Sequence, residues 1–176
     1  RKHSTALMIA ATNGHEEAVR LLLTAVNPRE GNADNRSALH FAAHGGQPEI
    51  IKMLIAAKCH VGESDTWSDG WSPIHYASQK GSMAAIETLL EGNADPLAMT
   101  RGGRSSLHIA ASCGHAEVLA ALCDASQGSE EFNIDAENEE GQTALHFAAH
   151  HGGHRAAQVL LQLKADPSIC DRTRER

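Results

Sequence analysis

The chain has 176 residues, 41% of them hydrophobic, which is enough to bury a core and argues against global disorder. A net charge of −7 argues against the broad basic face of a nucleic-acid binder, and no apolar run approaches the roughly 20 residues that cross a bilayer. Aromatic residues make up only 3% of the chain, so the core must come from Leu, Ile, Val and Ala.

Along the chain one pattern recurs five times, opening on a hydroxyl residue at Thr5, Ser37, Ser72, Ser105 and Thr143. Successive openings lie 32, 35, 33 and 38 residues apart, a drifting period that marks stacked supersecondary repeats. The expected repeats are 1–31, 32–66, 67–99, 100–137 and 138–170 within a single domain, with 171–176 the start of a further repeat or a tail. In the second and fifth copies seven residues, ALHFAAH, are letter-identical (Ala38–His44 and Ala144–His150). Each hydroxyl suits a helix N-cap, where its oxygen accepts from a free N–H of the first turn. Nine residues after each stands a glycine (Gly14, Gly46, Gly81, Gly114, Gly152), which can close a short helix in the left-handed conformation.

Two residues after each opening hydroxyl stands Leu or Ile, and small Ala-Ala or Ala-Ser pairs follow, so neighbouring helices can approach closely. A second helix is predicted from stripes such as Ile50, Ile51, Leu54, Ile55 and Val118, Leu119, Leu122, Cys123. Segments rich in Asn, Asp, Gly and Pro between the pairs read as turns.

The copies resemble the ankyrin-repeat family through their T-P-L-H-x-A-A-x-x-G-H pattern, with His40, His75, His108 and His146 at the histidine position and Met8 in the first copy. Gly14-His15 and Gly114-His115 match the start of the family's second helix. The resemblance covers essentially the whole chain and implies an all-α solenoid of five helix–turn–helix repeats with hairpin-like connections. The Asp that opens each hairpin in the family is expected to be replaced here by Asn32, Trp67, Thr100 and Asn138. Two connections are long, by two residues before Ser72 and by five near Gln127–Glu131. His3-Ser4-Thr5 starts mid-hairpin and Ala165-Asp166-Pro167 begins another, so further repeats or caps are expected to flank the chain.

No catalytic or metal chemistry is expected. The i, i+4 histidine pairs His40/His44 and His146/His150 put imidazoles on one helix face, but no further ligand completes a zinc site. Cys113 and His151 occupy equivalent positions on adjacent repeats, yet nothing supplies an orienting third group or an oxyanion site. Cys59, Cys113, Cys123 and Cys170 form no CxxC pair and read as reduced thiols of an intracellular, most simply cytoplasmic, protein. No cofactor, nucleic acid or membrane insertion is expected, and the chain is expected to be monomeric.

The resemblance places a partner-protein surface on the concave side, along the hairpin tips and the exposed ends of the first helices. By position its candidates are Arg36, His44, Trp67, Trp71, Gln79, Lys80, Arg101, Arg104, Gln142, His150 and His151. Trp71 is expected to face outward as an apolar anchor and Trp67 to fill the lengthened hairpin, with the opposite role open for each. Lys80, Arg101 and Arg104, beside Glu139 and Glu140, suggest a groove for an acidic or phosphorylated segment, against an ordinary solvated surface as the alternative. The function implied is a non-catalytic protein-interaction module. The alternative is a regulatory or substrate-recruiting segment of a larger multidomain enzyme or channel.

Overall fold

Five hydroxyl residues set the starts of the first helices in the computed structural model, which describes residues 4–172. Residues 1–3, where the sequence was expected to start mid-hairpin, and 173–176 of the expected tail or further repeat lie outside the described residues. Ten helices occur among the described residues, as five pairs: α1 (Ala6–Asn13) with α2 (Glu16–Leu23), α3 (Ala38–Gly45) with α4 (Pro48–Ala56), α5 (Pro73–Lys80) with α6 (Met83–Glu91), α7 (Ser106–Ser112) with α8 (Ala116–Ser126), and α9 (Ala144–His150) with α10 (His154–Gln162). The fold is all-α, a stack of about five ankyrin-type repeats. The chain divides after Asp95 into an N-terminal block holding α1–α6 and a C-terminal block holding α7–α10.

The caps work in both directions. Ser37 takes an extended conformation, and its backbone N–H donates to Nδ1 of His40 at 3.1 Å. The same bond recurs from Ser72 to His75, Ser105 to His108 and Thr143 to His146. Because Nδ1 accepts, the neutral ring carries its proton on Nε2. In His108 that Nε2–H donates to the carbonyl of Gln142 in the following hairpin, 3.1 Å away. His108 therefore ties the start of its helix to the next repeat, whereas Nε2 of His40 is buried without a hydrogen-bond partner. In the first repeat the Met8 thioether accepts from the Thr5 N–H instead.

In the N-terminal block α1, α3 and α5 pack side by side, and α2, α4 and α6 form the second row. Leu39, Ala42, Ala43, Ile50, Ile51 and Leu54 are fully buried between them. The small residues do what the pattern implies: a Cβ on Gly45 would sit 2.3 Å from the Thr12 carbonyl oxygen, so α1 and α3 touch backbone to backbone there. In the C-terminal block α7 packs on α8 and α9, and α10 packs on α9 and α8. The five-residue insertion is partly absorbed by helix, since α8 runs for 11 residues where the other second helices have 8 or 9.

Candidate partner-binding surface

Each hairpin is closed by one side-chain acceptor. Oδ1 of Asn32 takes the N–H groups of Asp34 and Arg36 at 3.0 Å each, and Oδ1 of Asn138 takes those of Glu140 and Gln142 at 3.0 and 2.8 Å. Thr100 accepts from the Arg104 N–H through its hydroxyl at 3.1 Å. In the third repeat this role falls to Asp65 and not to Trp67. Its Oδ1 accepts from the N–H groups of Ser68 and Trp71, at 3.1 and 3.0 Å. The two extra residues lie inside the hairpin, so counting back from Ser72 lands two positions late.

That insertion also decides the tryptophans, and it reverses the expectation for both. Trp71 is only 9% exposed, with its indole against Tyr76 (centroids 5.2 Å apart) and beside His75. Its backbone N–H is held by the Asp65 carboxylate, and its indole N–H is buried without a hydrogen-bond partner. The widened tip instead leaves Trp67 53% exposed. Asp65 itself is fully buried, and its second oxygen accepts a hydrogen bond from the Tyr76 hydroxyl. Burial, then that bond, raises the Tyr76 pKa above its ordinary value.

Three cationic or protonatable side chains converge around Tyr76 in the N-terminal block. Arg36, half-buried at the end of its hairpin, lies over the Phe41 ring at 4.8 Å and near Asp34, whose carboxylate is 4.0 Å from its Nη2. His44 is exposed one turn along α3 and meets the Tyr76 ring edge-on at 5.8 Å. Lys80 is exposed at the end of α5, its stem against the Gly46 backbone, where an added Cβ would lie 3.3 Å from Lys80 Cγ. Burial first, then the charge of Lys80 and that of Arg36, hold the His44 pKa below its ordinary value. Gln79 is exposed beside Lys80.

In the C-terminal block Arg101 is exposed and Arg104 half-buried. Gln142, His146, Phe147, His150 and His151 line a shallow recess of about 200 Å³. The His151 ring stacks parallel to Phe147, and its Nδ1 lies 3.0 Å from the Phe147 carbonyl, while His150 meets His151 edge-on at 4.9 Å. Cys113 is exposed with its sulfur 3.7 Å from the Ser112 hydroxyl, so neither Cys113 nor His151 makes its nearest polar contact with the other. Among the described residues no group of three or more His, Cys, Asp or Glu is placed to hold a metal ion.

Tyr76, which is buried, and Phe41, half-buried, were missed as the rings beneath this surface, although a signal existed. Position four of the first helix is large in every copy (Ile9, Phe41, Tyr76, Ile109, Phe147), and in α5 and α9 its ring covers the histidine of the preceding first helix, Tyr76 over His40 and Phe147 over His108.

Paired helices joined by side-chain-closed hairpins, with exposed polar residues at hairpin and helix ends, define a repeat module of the protein-binding class. The sequence profile described as Ankyrin repeats (3 copies) matches residues 1–65, 57–131 and 74–171, and the chain belongs to the ankyrin-repeat family. Among similar proteins, Tyrosine-protein kinase Shark of Drosophila melanogaster is 33% identical over 156 residues, covering 82% of this chain and 16% of that protein. The Probable E3 ubiquitin-protein ligase XBOS33 of Oryza sativa subsp. japonica is 33% identical over 124 residues, 68% of this chain and 22% of that protein. The Nuclear factor NF-kappa-B p105 subunit of Gallus gallus is 30% identical over 174 residues, 95% of this chain and 17% of that protein. The chain thus spans between 16% and 22% of the length of these relatives. No helix among the described residues is long and apolar enough to cross a membrane.

Proposed function

We propose that the chain is a non-catalytic protein-interaction module whose hairpins and first-helix ends take up an acidic or phosphorylated segment of a partner protein. The observation that carries this reading is the convergence of Arg36, His44 and Lys80 around Tyr76 and Phe41. A cation over an aromatic ring is oriented before binding, and a guanidinium presents two parallel donors to a carboxylate or phosphate. Because the helices fix these groups in advance, little conformational entropy is lost when the partner arrives. Trp67 adds exposed aromatic area at the adjoining hairpin tip. The C-terminal block by itself carries Arg101, Arg104, Gln142, His150 and His151 as candidates of the same kind, with no part in catalysis or cofactor binding. Four free thiols fit a reducing, intracellular setting.

The length of the relatives favours the second reading as a companion: this module recruits or regulates within a larger protein, whose chemistry resides outside these residues. Affinity capture with the wild type beside an Arg36→Glu, Lys80→Glu double variant tests the surface, with circular dichroism confirming equal helicity. A protein retained by the wild type and lost by the variant supports it. Equal retention moves binding to another face.

A further inference from the structure

We propose that Arg36, His44 and Lys80 form a proton-linked recognition site for a carboxylate-rich segment, which binds more tightly once His44 is protonated. The proposal rests on the acidic-partner reading above and specifies how that surface is regulated.

In the N-terminal block His44 is exposed while the motif histidines His40 and His75 are buried. His40, one turn earlier on α3, is buried with its Nδ1 held by the Ser37 N–H, so its ring is a structural tie. His44 is exposed, with its ring perpendicular to that of Tyr76. Every helix packed on α3 can be checked for charges facing it. Helix α1, ALMIAATN, carries no titratable side chain. From α4 come Glu49 and Lys52, which pair with each other at 3.1 Å. Helix α5 supplies His75, tied to the Ser72 N–H, Tyr76, bonded to Asp65, and Lys80. The hairpins supply Arg36 and Asp34, and Asp65, whose buried oxygens hold backbone N–H groups and the Tyr76 hydroxyl.

Arg36 and Lys80 are balanced in number by Asp34 and the buried Asp65, so a proton on His44 gives the strip its net positive charge. In the free protein burial first, and then the cations Lys80 and Arg36, oppose that proton. A bound carboxylate reverses the balance by placing negative charge against all three groups. Binding therefore takes up a proton, and by linkage affinity rises as pH falls through the His44 pKa of the complex. Carboxylates, with pKa values near 3.9 to 4.3, keep their charge throughout the range in which imidazole titrates. A phosphomonoester, with a second pKa near 6, loses charge over that range and would weaken or cancel the gain.

The test uses the whole chain and a fluorescent peptide containing six consecutive Asp residues, titrated by anisotropy at about pH 7.5 and about pH 5.5 in constant low salt. For the wild type the expected Kd at the lower pH is about fivefold smaller, the scale set by one added charge at a partly screened surface. In His44→Gln the ratio of the two Kd values is expected to fall close to one, whatever the variant's affinity at the higher pH. In NMR titrations the His44 imidazole pKa is expected to rise on saturation with the peptide. Equal pH responses in wild type and His44→Gln, with an unmoved imidazole pKa, would overturn the proton linkage while leaving the acidic-partner surface standing. Failure to bind at either pH, unchanged by Arg36→Glu with Lys80→Glu, would overturn that reading and the linkage with it.

Discussion

The heptapeptide ALHFAAH occurs twice, and the two copies live in different surroundings. In α3 Leu39, Ala42 and Ala43 are fully buried and His40 is 1% exposed. In α9 Leu145, His146 and Phe147 are half-buried and Ala149 is exposed. Local structure is nevertheless the same. Both copies begin on a hydroxyl cap whose N–H donates to the histidine Nδ1, at 3.1 and 3.2 Å. The sequence of a repeat thus dictates its helix, while the repeat stacked upon it decides what that helix buries. Tyr76 of α5 lies over His40, and α5 packs along α3.

The sharpest way to break this contrast is to place the same charge at equivalent positions. Ala43→Arg should cost more than about 3 kcal/mol, because it overpacks the α3–α5 contact and buries a charge, whereas Ala149→Arg should cost under about 0.5 kcal/mol. Urea denaturation of the two variants checks both figures.

Acid sharpens it next. Burial pushes the His40 pKa down to about 4, against an upward pull from Asp65. A histidine whose folded pKa lies below its unfolded value of about 6.5 favours folding in its neutral form. Its contribution is therefore complete above about pH 6.5 and is lost as pH falls toward 4. At about 1.4 kcal/mol per pKa unit the loss is on the order of 3 kcal/mol. His40→Gln should flatten that part of the stability–pH curve, as measured by urea midpoints between about pH 7 and pH 4.

The residue after the heptapeptide gives a smaller effect. It is Gly45 in one copy and His151 in the other. Gly45→Ala should destabilise by about 1 to 2 kcal/mol, because its Cβ meets the Thr12 carbonyl and the clash outweighs the gain in helix propensity. His151→Ala should change stability by less than about 0.5 kcal/mol, since that side chain is exposed. Thermal melts of the two variants make this comparison.

The helices were legible because their signals are local. A hydroxyl cap, a histidine three residues on and a glycine nine residues on all act within one or two turns. Gly46 illustrates the closing signal, with φ at 70° in the left-handed region. The hairpin of the third repeat was misread for a reason that is also local. Its position was counted back from Ser72 across an insertion, which displaced the opener from Asp65 to Trp67. Counting forward from the end of the second helix avoids the error: Asp65 stands six residues after Cys59, as Thr100 does after Ala94. The fates of Trp67 and Trp71 follow from that register and could not be separated by aromatic character alone. The surface cations were identified by position, but their grouping around Tyr76 depends on how α5 sits on α3, a tertiary fact with no signature in one repeat.

Hydrogen exchange of the whole chain, free and saturated with the acidic peptide, tests the binding surface most directly. The expected result is slowed exchange at the backbone amides of residues 33–36, 44–46 and 76–80, with α4 and α6 unchanged. Protection confined to α4 and α6, with those hairpin and first-helix amides unaffected, would contradict it.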